Sequence, residues 1–254
     1  MFFQKIIYNM LLTGFPNLVY NPITKNPLNS KFIVDKNSLY INYVLNNDAI
    51  YEIQKNIIDP DLELEPISLE KNNNNKKYYI SINIYNVTSP ILNTMNVITR
   101  CEINTYVRRK TDNKKGTLIL DYSSNSLSMD PLNIFKPRSF NTTYNLDNSN
   151  DKIDMISSSS NFELFGKINI NECDDKFITS SDLHKFTDNV FYSNGIYDKI
   201  YYDSSLTHCN TLQPYKSDIL FKLYNREYII PDSIFYFDNQ INFSGEMWSN
   251  LFNN

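Results

Sequence analysis

The chain has 254 residues, a formal net charge of −4, 41% apolar residues and 14% aromatic ones, mostly Tyr and Phe. So much apolar material excludes a disordered chain, and the length suits a single domain, residues 1–254, around one sizeable core. The charge is spread along the sequence, leaving no footprint for a phosphate backbone, and no stretch reaches the ~20 apolar residues that span a bilayer. Neither nucleic acid nor a membrane is therefore expected as a partner.

In chain order, the segment Met1 to Leu12 is apolar but interrupted by Gln4, Lys5 and Asn9, with no small-residue cleavage site after it. It is expected to pack on the domain as a first helix or strand. Leu39 to Leu45 reads as a strand. Ala49, Ile50, Ile53 and Ile57 then repeat at helical spacing behind Asn47 and Asp48, with Pro60 beyond the stop, which predicts a short helix. Period-2 alternation returns over Tyr78 to Val87, with Ile80, Ile82 and Ile84 on one face, and over Val97 to Val107. Thr117 to Tyr122 follows across a turn at Thr111-Asp112-Asn113 and completes an antiparallel hairpin. The basic clusters beside that turn, Arg108-Arg109-Lys110 and Lys114-Lys115, read as a solvated hairpin tip.

Residues 141–160 are Ser- and Asn-rich and read as an exposed loop. Phe162 to Ile170 is another strand, with Gly166 a candidate bulge. A second capped helix is predicted at Ser180 to Phe186. Shorter strands follow at Val190 to Tyr192, Lys199 to Tyr202, Ile219 to Leu223, Ser233 to Phe237 and Ile241 to Phe243. The count predicts a mainly β, α+β fold with a closed or nearly closed antiparallel sheet. Cys101, Cys173 and Cys209 lie far apart, without metal-ligand spacing. They read as free thiols in a reducing, cytoplasmic setting, with no metal and no cofactor implied.

Three stretches occur in an order that resembles a known family. Ile57-Ile58-Asp59-Pro60-Asp61-Leu62-Glu63-Leu64-Glu65-Pro66 follows the predicted helix. Arg100-Cys101-Glu102-Ile103-Asn104-Thr105-Tyr106-Val107-Arg108 precedes Gly116-Thr117-Leu118-Ile119-Leu120. The third runs from Phe186-Thr187 through Phe191-Tyr192 and Gly195 to His208-Cys209-Asn210-Thr211-Leu212-Gln213-Pro214. Together they resemble the acetoacetate decarboxylase-like superfamily, in particular its DUF2071/YqjF-type branch, over about residues 39 to 215. The resemblance implies a cone-shaped antiparallel β-barrel with a few short helices around a cavity.

Decarboxylases of that superfamily use a lysine that forms a Schiff base, which needs a depressed pKa. In the corresponding stretch here, Met129 to Arg138, Pro137 falls at the lysine position and Lys136 one residue early. The resemblance thus implies a barrel without the usual nucleophile, unless a local shift brings Lys136 into the cavity beside Arg138. It also gives Glu102 as the carboxylate, His208 as the acid/base candidate, and Arg100, Glu102, Arg138 and Gln213 as ligand contacts. By i, i+2 spacing Arg100 and Glu102 share one face of a strand. They either enter the cavity as a charge pair, or face solvent while Cys101, Ile103 and Thr105 fill the interior. His184, on the predicted polar helix, reads as a surface residue.

The expected function is binding or turnover of a small organic acid or aromatic compound. The alternatives are a non-catalytic structural or interaction protein that keeps the fold with a filled cavity, and an unrelated carrier barrel, disfavoured by the helices. Assembly into a homo-oligomer is left open.

Overall fold

A computed structural model of the chain describes residues 28–34, 36–69, 75–88, 98–125, 141–147, 152–170, 173–178, 191–193, 196–202, 209–212, 217–237 and 240–247. In chain order β1 (Leu28–Val34), β2 (Ser38–Val44), helix α1 (Asn47–Asn56), β3 (Leu62–Leu64), β4 (Tyr79–Thr88), β5 (Ile98–Arg109) and β6 (Lys115–Ser124) come first. They are followed by β7 (Asn141–Asp147), β8 (Lys152–Ser158), β9 (Phe162–Asn169), β10 (Cys173–Ile178), β11 (Phe191–Ser193) and β12 (Ile196–Tyr202). The last are β13 (Cys209–Leu212), β14 (Asp218–Leu223), β15 (Arg226–Tyr228), β16 (Ser233–Phe237) and β17 (Ile241–Met247).

The predicted helix is the only α-helix among the described residues. Its cap is Asn46, one residue before the predicted pair, whose side chain accepts from Ala49 N at 2.9 Å. Ala49 and Ile53 face inward, as the spacing requires. Gln54 ties the helix to β3, taking the Leu64 N–H at 2.9 Å on its side-chain oxygen. β3 in turn pairs with the end of β5, Leu62 opposite Arg109.

The strands form two sheets. The smaller has five, in the order β15-β14-β9-β8-β7, all antiparallel. The larger has twelve and branches at β4, one edge of which meets β5 while the other is shared by β2, along Tyr79 to Ile84, and β1, along Val87 and Thr88. From β5 the pairing continues through β6, β11, β12 and β17 to β1, and so returns to β4. The β6–β11 contact is the one parallel pairing among those described. β2 carries a branch outward through β16 and β13 to β10.

One hydrophobic core lies between the two sheets. Leu39, Ile41 and Tyr43 of β2, Ile80, Ile82 and Ile84 of β4, and Cys101, Ile103 and Val107 of β5 face it from the larger sheet. Ile153 and Met155 of β8, Phe162 and Leu164 of β9, and Phe221 of β14 meet them from the smaller one. Each strand contributes alternate residues, which is why the period-2 segments are recognisable in the sequence.

Two expectations are corrected here. Residues 141–160 are not an exposed loop but hold β7 and β8, paired from Asn141 opposite Ser158 to Asp147 opposite Lys152. Their inward positions include Thr142 and Ser157, so the buried face looks polar in sequence. Those hydroxyls meet at 2.9 Å, and Thr142 also donates to Ser123 of β6 at 2.7 Å. Gly166 is not a bulge, since β9 keeps its register on both sides there. It is instead a close-approach site: a Cβ at Gly166 would collide with Met155 Cε and lie 3.2 Å from its Cγ. Gly166→Ala must therefore push a buried methionine aside, and the variant is expected to unfold about 1–3 kcal/mol more easily in chemical denaturation.

Candidate functional site

β5 is buried on both faces. Its odd-numbered residues Cys101 and Ile103 face the core between the sheets, where burial pushes the Cys101 thiol up to about 12. Its even-numbered residues Arg100, Glu102 and Asn104 point the other way and are 6%, 7% and 0% exposed. Neither of the two arrangements expected from the sequence is therefore complete: the charge pair is buried, and the apolar residues of the same strand are buried as well.

Strand register arranges the second face in rows. Ser233 of β16, Asn42 of β2, Ser81 of β4 and Asn104 of β5 lie side by side across four strands. The next row is Phe235, Tyr40, Asn83 and Glu102, extended onto β6 by Tyr122. Beyond it Tyr85, Arg100 and Ser124 are aligned. A β-bulge in β6, between the partners of Ile103 and Asn104, lies directly beside this group. It turns Ile119 toward Asn104 while Leu118 and Leu120 stay in the other core. A second apolar cluster, including Val34, Ile67, Leu69, Phe235 and Phe237, covers part of the polar face.

The centre of the group is the Glu102 carboxylate. It accepts from Arg100 Nε at 2.5 Å and from the Tyr85 hydroxyl at 2.9 Å on one oxygen, and from Asn104 Nδ2 at 3.3 Å on the other. The Arg100 guanidinium lies 4.4 Å above the centre of the Tyr122 ring. Three donors satisfy the buried carboxylate, as buried charges require. The three contacts tie Glu102 to neighbours on β4 and β5. This face leaves open the amide oxygens Asn104 Oδ1 and Asn42 Oδ1 and the Ser38 hydroxyl, all buried without a hydrogen-bond partner. The amide orientation of Asn104 follows from its donation to Glu102, a carboxylate that can only accept, whereas the Ser233 hydroxyl, 3.3 Å from the Asn42 amide, pairs equally well with either end of it.

Ser81 and Asn83 belong to none of the sequence motifs, and Asn104, though inside the Arg100 to Arg108 motif, is not marked out by it as a site candidate. Their one signal is the even spacing with Glu102 on β5 and with Tyr85 on β4. The predicted Lys136, Arg138, His208 and Gln213 lie outside the described residues, as does His184. Among the described residues no group of three His, Cys, Asp or Glu side chains is placed to hold a metal. At the hairpin tip the basic cluster is taken up by acidic partners: Arg108 pairs with Glu63 and Glu65, Lys115 with Glu65 at 2.5 Å, and Arg109 with Asp112 at 2.5 Å.

Solved structures share this architecture. The enduracididine biosynthesis enzyme MppR superposes with a TM-score of 0.54 at 9% identity, over 91% of this chain and 98% of its own. An acetoacetate decarboxylase-like enzyme from Sphingomonas wittichii RW1 superposes with a TM-score of 0.50 at 8% identity, over 92% and 99% of the two chains. The chain has the acetoacetate decarboxylase-like fold. MppR in complex with pyruvate gives a TM-score of 0.51 at 10% identity, over 87% of this chain and 90% of that one. No protein-family model and no curated protein sequence matches the chain, so the DUF2071/YqjF-type branch rests on the sequence motifs alone. Among the described residues no helix is long and apolar enough to cross a membrane.

Two outcomes test this geometry. Glu102→Ala removes the buried carboxylate to which Arg100, Tyr85 and Asn104 all donate and should cost about 3–5 kcal/mol in equilibrium unfolding, whereas Arg100→Met combined with Glu102→Leu should fall much closer to the parent. Burial, then the Glu102 charge, holds the Tyr85 hydroxyl well above the ordinary tyrosine range, and burial raises Tyr106 to about 12. Both tyrosines ionise more easily in the unfolded chain, so their contribution is complete below about pH 10 and is lost as pH rises through the folded-state value. Unfolding free energy should therefore fall between pH 10 and about 12, and less steeply in Tyr106→Phe.

Proposed function

We propose that the closed circuit of pairing from β4 through β5, β6, β11, β12, β17 and β1 is a cone-shaped barrel that binds a small organic acid or aromatic compound. The observation that carries this reading is the buried polar face of β2, β4 and β5, with a charge pair at its centre and orphaned acceptors beside it. Convergent polar groups in an otherwise apolar interior are the mark of a small-molecule site. Arg100, held by Glu102 and Tyr122, supplies the positive charge for an acid. Asn104 Oδ1 and Asn42 Oδ1 would accept from a hydroxyl or amine on the same molecule, and Tyr40, Tyr85 and Tyr122 offer aromatic surface. MppR's complex with pyruvate supports the reading only as an analogy of fold.

If the chain is an enzyme, it acts on a small carbonyl compound or carboxylic acid in the manner of a decarboxylase or lyase. Pro137 at the position of the Schiff-base lysine argues against the usual covalent route, and leaves Lys136, Arg138, His208 and Gln213 as further candidates. The second reading, a scaffold with a filled cavity, is favoured by the aromatic packing on the same face, where the Tyr40 and Phe237 rings stand 4.8 Å apart.

Native mass spectrometry of the purified protein separates the two. A reproducible small molecule released on denaturation supports binding, and its affinity should fall about tenfold in Asn104→Leu and in folded Glu102→Gln. Unchanged affinity in both variants would remove this face from the site. Treatment with pyruvate or acetoacetate and borohydride should give no adduct; one that depends on Lys136 would restore the covalent mechanism.

A further inference from the structure

The outer face of the five-stranded sheet carries an apolar row in register. Ile156 of β8 stands opposite Phe165 of β9, which stands opposite Leu220 of β14. All three are large side chains left 40%, 44% and 38% exposed, and an open groove of about 650 Å³ lies over them. Charged residues flank the row on both sides. On one side Asp154, Lys167 and Asp218 are aligned across the same three strands, and on the other Ser158, Glu163 and Lys222. The signs run negative, positive, negative on the first side and neutral, negative, positive on the second.

That pattern complements itself under one symmetry operation. A two-fold axis lying along the apolar row, perpendicular to the strands, sets a second copy face to face with the first. Phe165 then meets Phe165 of the copy, Lys167 meets its Glu163, and Asp218 meets its Lys222, with both charge contacts occurring twice. An axis along β9 instead would set Lys167 against Lys167 and Asp154 against Asp218, which repels. We propose that this face is the interface of a homodimer, with the two-fold axis along Ile156, Phe165 and Leu220. The inference is independent of the barrel interior, because the row lies on the side of the smaller sheet turned away from the shared core.

Sedimentation over a concentration series tests it. The parent should dimerise, with a melting temperature that rises with protein concentration, and Phe165→Glu should be monomeric with unchanged circular dichroism and a concentration-independent melting temperature. Lys167→Glu alone and Glu163→Lys alone should each raise the dimer Kd by about tenfold or more, since each places two like-charge pairs across the axis. Mixing those two variants in equal amounts should restore the dimer. In the mixed dimer the two substituted positions face each other with opposite charges at one contact, and the native Lys167 and Glu163 face each other at the second. A monomeric parent, a dimer that survives Phe165→Glu, or a mixture that fails to reassociate would each overturn the proposal.

Discussion

Burying Arg100 beside Glu102 takes two charges out of water, and every polar atom of both must then find a partner inside the fold. β5 meets that demand by its position. It is paired along both edges, with β4 and β3 on one side and β6 on the other, so its neighbours are fixed by backbone hydrogen bonds before any side chain is considered. Tyr85 arrives from β4, Asn104 from β5 itself and Tyr122 from β6. The hydrophobic core on the opposite face of β4 and β5 holds that register, because a slip by one residue would put the isoleucines of β4 and the charges of β5 on exchanged faces.

The rest of the structure follows from giving one sheet two buried faces. The smaller sheet covers one of them with Ile153, Met155, Phe162 and Leu164, and its own outer face is left to solvent or to another chain. The second face carries a mixed lining. Its polar row, Ser233, Asn42, Ser81 and Asn104, lies on the same side as the second apolar cluster. Orphaned polar atoms at Asn104 and Asn42 cost free energy unless a partner meets them. That is the physical reason for reading the face as a binding surface rather than as packing.

Much of this was legible in the sequence, and the limits are physical. β2, β4 and β5 alternate cleanly because one of their faces meets an apolar sheet, and α1 shows its inward residues and its stop ahead of Pro60. The placing of Arg100 and Glu102 on one face also followed from spacing alone. Which face that was did not, because Cys101 and Ile103 on one side and the charge pair on the other are equally buried. β7 and β8 look like a loop in sequence because a hydroxyl cluster, Thr142 with Ser123 and Ser157, occupies part of their inward surface. The row through Asn42, Ser81 and Asn104 joins residues far apart in the chain and exists only once register is fixed. The resemblance in three motifs pointed to the fold that the solved structures share, and its Glu102 is the residue at the centre of the polar face.

The central claim is that the polar face of β2, β4 and β5 receives a ligand. A crystal structure of the protein with a small aromatic hydroxy acid bound tests it most directly. The account predicts ligand density within hydrogen-bond distance of Arg100 or Asn104, with the Arg100–Glu102 contact retained. A ligand bound elsewhere while side chains close over Asn104 would contradict it.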